Sequence, residues 1–356
     1  MKQLFLLVGI VLLAAILYVG SMLLLGFVTK FKSAAIEDVA LQPTYSGKEN
    51  AAQLTDSTFS FLIWNIGYGG LGKEVDFFYD GGKTVTSPQN LVERYNEGIL
   101  KFLAGDCRDL DFIMLQEVDR KSKRSYKTDE VQNIAKTLPN HSWSFATNYK
   151  VTYLPFPFTD PIGGVWSGLQ TLSRYTPTES KRVALPGISD FPRKLFYLER
   201  CLLTQRYKLN NGKDLIVINT HFEAYDDGSV KKQQMALTKK LVEEEYAKGN
   251  YVIIGGDWNI APPSFNVHTF EKEPEDELLY KMNNDPNYIP GWTYAFDSTT
   301  ATNRKNKTPF NPEKTFTTVI DYYFVSPNVE VAQVKGIDLG FNYSDHQLVR
   351  LRVKLK

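Results

Sequence analysis

Close to the start of the chain lies a run of 25 uncharged residues, Leu4 to Val28. About 20 apolar residues are enough to cross a bilayer core. A secretory leader has a shorter apolar region, about 7–15 residues, before its small-residue cleavage site. Here the run continues through Met22, Leu23, Leu24, Leu25 and Phe27. Residues 1–32 are therefore read as an uncleaved single-pass membrane anchor, with a long cleaved signal as the alternative. Residues 33–56 are mixed and polar and read as a linker. Residues 57–356 read as one domain, because no second linker interrupts them.

Within that domain short apolar runs alternate with helical periods. The runs are rich in Val, Ile, Phe and Tyr and bounded by Gly, Asn and Asp, which predicts strands. They fall at Phe59–Ile66, Asp111–Gln116, Ser142–Thr147, Gly168–Ser173, Cys201–Leu209, Leu215–Thr220, Tyr251–Gly255, Val319–Val325 and Gln347–Leu355. Helices are predicted at Pro88–Ala104, Glu130–Leu138, Val230–Lys248 and Pro274–Met282. Ser87 before Pro88 has the form of an N-cap followed by a first-turn proline. Many strands, few helices and no repeat predict an α/β protein of two packed sheets with helices outside. Residues 284–318 have little periodicity and four prolines, as functional loops often do.

Charge narrows the choice of partner. Taking Lys2, Lys30 and Lys32 from the 41 basic residues leaves 38 against 40 acidic ones, about −2 for the soluble part. A dedicated nucleic-acid binder carries a basic excess, since phosphate neutralisation supplies most of its affinity. Nucleic acid is thus possible but not favoured. Lys2 lies on one side of the apolar run, Lys30 and Lys32 on the other, so the positive-inside count does not choose an orientation. Single N-terminal anchors often export the domain they carry, and this domain is expected outside the cytoplasm. Cys107 and Cys201 belong to no CxxC pair, so neither zinc nor redox chemistry is indicated.

Several strands run abruptly into polar residues. Phe61-Leu62-Ile63-Trp64 meets Asn65, and Phe112-Ile113-Met114-Leu115 meets Gln116-Glu117. Leu215-Ile216-Val217-Ile218 meets Asn219-Thr220-His221, and Tyr251-Val252-Ile253-Ile254 meets Gly255-Gly256-Asp257-Trp258-Asn259. Asp321 interrupts an apolar strand, and Ser344-Asp345-His346 precedes the last one. A side chain at a strand end can be held rigidly over a cleft. Each residue alone has an ordinary reading, as a turn former, a helix-starting charge or a satisfied histidine. Together they form an oxygen-rich set without thiolates, which suits Mg²⁺ or Mn²⁺ and metal-assisted phosphoester hydrolysis.

Two other segments carry weaker signals. Gly81-Gly82-Lys83-Thr84 has the end of a phosphate loop, but Phe77 stands where its first glycine belongs. Tyr149–Trp166 holds Tyr153, Phe156, Phe158 and Trp166 among prolines. It is either a lipid- or substrate-facing loop or a packed aromatic one.

The ordered strings Trp64-Asn65-Ile66, Leu115-Gln116-Glu117-Val118, Leu172-Ser173-Arg174-Tyr175, Asn219-Thr220-His221, Gly256-Asp257-Trp258-Asn259, Ile320-Asp321-Tyr322 and Ser344-Asp345-His346 resemble the endonuclease/exonuclease/phosphatase superfamily, whose fold is deoxyribonuclease I-like. The resemblance covers Thr58 to Lys356. It implies a four-layer sandwich, two mixed β-sheets packed face to face between helices. It implies that Glu117 binds the metal with Asn65 and Asp345 close by, that Asp257 positions or activates water, and that Asn259 orients the phosphate or that Asp. It further implies that His346 pairs with Asp321 and contacts the scissile phosphate, with His221 a second phosphate-facing donor. Such enzymes cleave DNA, RNA, inositol phosphates or phospholipids. The anchor and the missing basic excess favour a phospholipid or small organophosphate, similar to neutral sphingomyelinases, over a nuclease. A catalytically silent tethered binding protein is the reading from another class.

Overall fold

A computed structural model describes residues 1–270 and 288–356; the helix expected at Pro274–Met282 lies outside them. The chain begins with α1 (Lys2–Thr29), then β1 (Ile36–Asp38), β2 (Gln53–Leu54), β3 (Thr58–Asn65) and α2 (Gln89–Asp106). Next are β4 (Phe112–Asp119), α3 (Glu130–Thr137), β5 (Ser142–Leu154), β6 (Gly163–Ser173) and β7 (Glu179–Ala184). Then come β8 (Cys201–Leu209), β9 (Asp214–His221), α4 (Ser229–Ala247) and β10 (Tyr251–Asp257). The last part holds the short β11 (Thr293–Ala295), β12 (Asn303–Arg304) and β13 (Thr317–Thr318), then β14 (Asp321–Val325), β15 (Val329–Ile337) and β16 (Leu348–Leu355).

Two mixed sheets form. One has the order β15-β16-β3-β4-β6-β5; the other runs β1-β7-β8-β9-β10-β14-β11, with β2 beside β8. Strand residues alternate between faces, and that alternation sorts the core. Phe59, Phe61 and Ile63 of β3 and Phe112 and Met114 of β4 meet Val217, Ile253 and Tyr323 between the sheets. Leu62, Trp64, Ile113 and Leu115 turn outward onto Ile99 and Leu103 of α2 and Val131 and Ile134 of α3. On the other sheet Ile216, Ile218, Val252 and Ile254 turn outward onto Met235 and Val242 of α4. The result is the expected four layers. In α2 the buried residues Val92, Tyr95, Ile99 and Leu103 fall at helical spacing along one face.

Three local expectations change. Ser87 does not cap α2: the helix has no side-chain cap bond, and the Ser87 hydroxyl donates instead to the Gly70 carbonyl. Residues 33–56 run along the domain, with β1 pairing β7 and β2 pairing β8. Strands β7 and β15 were not foreseen, because charged and small residues obscure their alternation.

Helix α1 is long and apolar enough to cross a membrane and largely exposed. Its last turn meets the domain: Gly26 is buried against Phe196, and Lys30 pairs with Glu199 at 3.0 Å just beyond the helix. Cys107 and Cys201 are both free and buried.

Candidate active site

Strand register brings the expected residues to one end of the sandwich. In the second sheet Asp257 lies opposite His221 on one side and Asp321 on the other. Gly256 makes this possible. Its φ is +145°, and a Cβ there would come within 2.0 Å of the Thr220 carbonyl oxygen. In the first sheet Asn65 pairs with Gln116. The β4–β6 register then shifts between Leu115 and Val118, and Glu117 takes φ +53°. Such a bulge re-aims a side chain. Gln116 donates through Nε2 to Asn219 Oδ1 at 2.7 Å, tying the two sheets beneath the cleft.

Asn65 joins the two halves. Its Nδ2 donates to Glu117 Oε1 at 3.2 Å and Asp257 Oδ2 at 3.0 Å, while its Oδ1 accepts the Gly67 N–H. The amide nitrogen thus faces the carboxylates, which makes Asn65 a bridging donor in this arrangement. Asn259, at φ +50°, gives its backbone N–H to Asp257 Oδ1 at 2.9 Å and its side-chain amide to the Phe222 carbonyl. His346 Nδ1 lies 2.8 Å from Asp321 Oδ2, and its Nε2 lies 3.6 Å from Asp257 Oδ2. The Trp64 indole N–H holds the His346 carbonyl, and the Ser344 hydroxyl accepts the His346 N–H. His221 Nε2 is 3.3 Å from Asp257 Oδ2 and 4.0 Å from Glu117 Oε1.

The environment separates the two histidines. Burial works against charge on His346, but the Asp321 and Asp257 carboxylates outweigh it and hold the imidazole well above its usual range. Burial pushes His221 well below that range, and Arg200 and His346 add to the effect. Burial raises Asp257 to about 6, with His346 opposing and Asp321 reinforcing the shift. Burial also raises Glu117; Arg124 opposes this and Asp345 adds to it. One imidazole is thus favoured as the cation and the other as the neutral ring. Titratable groups pushed apart in this way mark acid and base roles.

Two places in this array can hold a cation. Ligand atoms of Asp257, Asp321 and His346 lie within 4.8 Å of one another. There, however, His346 Nδ1 is taken up by Asp321 at 2.8 Å, and its Nε2 lies 3.0 Å from the Asn303 amide. Glu117, its side chain 28% exposed, and Asp345 line the same cleft, and the nearby Arg124 is engaged, binding Asp119 through two hydrogen bonds and lying 3.6 Å from the centre of the Tyr68 ring. The carboxylate donor set there fits a hard divalent ion better.

Some cleft residues carried no sequence signal. Tyr68 lies at φ +45° beside the carboxylates. The Asn303 side-chain amide is 3.0 Å from His346 Nε2. Arg304 gives Nη2 hydrogens to the carbonyls of Leu71, Gly72 and Val75, pinning the loop after β3. Arg200 is 4% exposed, its Nε and Nη1 have no hydrogen-bond partner, and Glu223 is 3.9 Å away. Asn303 and Arg304 come from the aperiodic stretch. His141 lies elsewhere, bonded to the Leu110 carbonyl.

The cleft above these residues encloses about 1230 Å³. Two mixed sheets packed between helices are the fold of the deoxyribonuclease I-like class. The sequence profile of the Endonuclease/Exonuclease/phosphatase family matches residues 62–346, and the chain belongs to that family, whose members hydrolyse phosphoester bonds. A solved family protein from Beutenbergia cavernae is similar, with 17% identity and a TM-score of 0.56 over 84% of this chain and 72% of the other. D. rerio TDP2 complexed with single-strand DNA product shares 16% identity, with a TM-score of 0.52 over 84% of this chain and 100% of the other. The human Nocturnin catalytic domain with bound sulfate shares 17%, with a TM-score of 0.52 over 85% and 96%. No curated protein sequence matches.

Proposed function

We propose that this protein is a membrane-anchored phosphoester hydrolase dependent on Mg²⁺ or Mn²⁺, acting on a phospholipid or small organophosphate in preference to DNA or RNA. Residues 1–32 serve as the anchor and 57–356 as the catalytic domain, placed outside the cytoplasm. The observation that carries the catalytic reading is the buried array Asp321–His346–Asp257–Asn65, joined by hydrogen bonds and close polar approaches and continued by Asn65 to Glu117 at the cleft surface.

Glu117 and Asp345 would hold the ion, with Asn65 fixing the Glu117 carboxylate. When bound there, a divalent ion would supply charge neutralisation at the phosphoryl and leaving oxygens. Asp257, raised towards neutrality, orients the attacking water and accepts its proton. Asn259 keeps that carboxylate in place through its backbone N–H. His346, held as the cation by Asp321, donates to phosphoryl oxygens as charge builds. His221 is the neutral donor on the opposite side, and Arg200, paired with Glu223 at 3.9 Å, adds positive charge beside the cleft. The near-neutral charge and the apolar helix support a lipid-type ester over duplex DNA. A silent binding protein would have no use for so many buried charged groups, which are costly to maintain.

The test is a panel of sphingomyelin, phosphoinositides, bis-p-nitrophenyl phosphate, RNA and plasmid DNA with Mg²⁺. Turnover of a lipid or soluble ester, lost in EDTA and restored by Mg²⁺ or Mn²⁺, is expected. Full turnover in EDTA by metal-free protein would reject metal dependence, and plasmid nicking with no lipid turnover would reverse the substrate order.

A further inference from the structure

Aromatic residues surround the mouth of the cleft. Phe158 is 71% exposed, and Tyr79, Phe156 and Tyr225 are each nearly half exposed. They form a continuous row of contacts, with Phe158 to Phe156 at 6.2 Å, Phe156 to Tyr79 at 6.4 Å and Tyr79 to Tyr225 at 5.9 Å. Phe191, 63% exposed, stands between the cleft-lining Asp190 and Pro192. Exposed rings in one patch mark an interaction surface, and aromatic side chains favour the membrane–water boundary.

The collar is physically continuous with α1. Gly26 sits against the Phe196 ring, and Phe196 itself lines the cleft. Phe196 and Phe78 both pack on the cluster of Val151, Leu154, Ile162 and Val165, and Phe78 lies 6.1 Å from Phe156. Gly26 is three residues from the end of α1 at Thr29, about 4.5 Å along the axis. If α1 spans the bilayer, this turn lies at the bilayer surface, and the packing from Gly26 through Phe196 to Phe78 and Phe156 joins the collar to it. Arg193 and Lys194 stand exposed just after Pro192, where cations meet phosphate headgroups.

We propose that Tyr79, Phe156, Phe158, Phe191 and Tyr225 form the surface by which the domain seats on the bilayer that α1 crosses, so that the cleft opens onto that bilayer and receives the phosphoester headgroup of a lipid from the same vesicle. The collar partitions into the interface and α1 sets the height of the cleft. This rests on the anchored phosphoesterase reading, and adds where the substrate enters and from which membrane it comes.

The experiment uses the full chain in phosphatidylcholine vesicles. Nitroxide labels go on Phe158→Cys, Phe191→Cys and, as a water reference, Glu244→Cys on the exposed face of α4 near its far end. Cys107 and Cys201 are buried with thiol pKa values raised to about 12 and about 11, which directs the label to the introduced thiol. Labels at 158 and 191 should collide more with oxygen than with a water-soluble nickel complex, and the label at 244 the reverse. Either collar label reporting the nickel access of position 244 overturns the docking surface. Wild-type chain should hydrolyse phospholipid of its own vesicles at least about tenfold faster than that of added protein-free vesicles, a difference of about 1.4 kcal/mol. Equal rates overturn the same-membrane claim. Absence of turnover on the lipid and on soluble bis-p-nitrophenyl phosphate overturns the catalytic reading and lipid delivery with it, while the label depths still decide the docking surface.

Discussion

Replacing His346 by alanine tests the centre of the array. The ring lies between the Asp321 and Asp257 carboxylates, each 1% exposed, with nitrogen–oxygen distances of 2.8 and 3.6 Å. Removing it leaves two buried negative charges facing each other across the vacated space. Breaking a buried ion pair costs about 3–5 kcal/mol. His346 borders the cleft, so water can enter and the expected loss is at the lower end, about 3 kcal/mol. Loss of a preorganised donor to the phosphoryl group should lower kcat by about 10²–10³. Asp321→Asn keeps the volume and an acceptor oxygen, so its stability loss should be smaller, about 1 kcal/mol, while kcat still falls. The double variant should be little slower than His346→Ala alone, because groups acting as a unit are not additive. The assay is turnover of a soluble diester in detergent with saturating Mg²⁺, beside urea unfolding of the same samples. His141→Ala, remote from the cleft, should retain kcat near wild type. Wild-type turnover by His346→Ala would refute the assignment of this array to catalysis.

Two structural predictions accompany it. Gly256→Ala must place a methyl group against the Thr220 carbonyl and adopt a strained φ; a stability loss of about 3 kcal/mol and loss of activity are expected, and an unchanged urea midpoint would show that β10 does not need this close approach. Burial favours a higher pKa for Glu245, but hydrogen bonds from Arg206, Lys248 and Asn250 hold its carboxyl at about 2 against an ordinary 4.5. A depressed folded-state value stabilises above the unfolded one and is lost as pH falls through the folded one. Glu245→Gln should therefore be less stable than wild type at pH 7, and the gap should close as pH drops from about 4.5 towards 2; a gap independent of pH would contradict the shift.

Much of this protein was legible in its sequence because burial on both faces writes long apolar runs. Strands β3, β4, β9 and β10 form sheet interiors, and their predicted bounds fell within three residues of those found. The polar residues ending those runs, Asn65, His221 and Asp257, are brought to the cleft by register, and Glu117 by the bulge that interrupts β4. Edge strands were harder to read. In β15 buried and exposed positions mix irregularly, since an edge strand has fewer neighbours to cover it.

The sequence by itself determined the apolar helix, the two-sheet architecture and the identity of the chemical groups, because periodicity and abrupt changes of polarity are local. Only the tertiary structure decided their relations. Asn65 turns its amide nitrogen towards Glu117 and Asp257, and His346 and His221 take opposite charge preferences from different neighbours. Tyr68, Asn303 and Arg200 reach the cleft from segments with no polarity signal of their own. The loop Tyr149–Trp166 also divides in the fold. Trp166 packs under Arg120 and Lys150, while Phe156 and Phe158 stand at the cleft mouth. Each of these outcomes depends on groups distant in the chain meeting in space, which one-dimensional patterning does not encode.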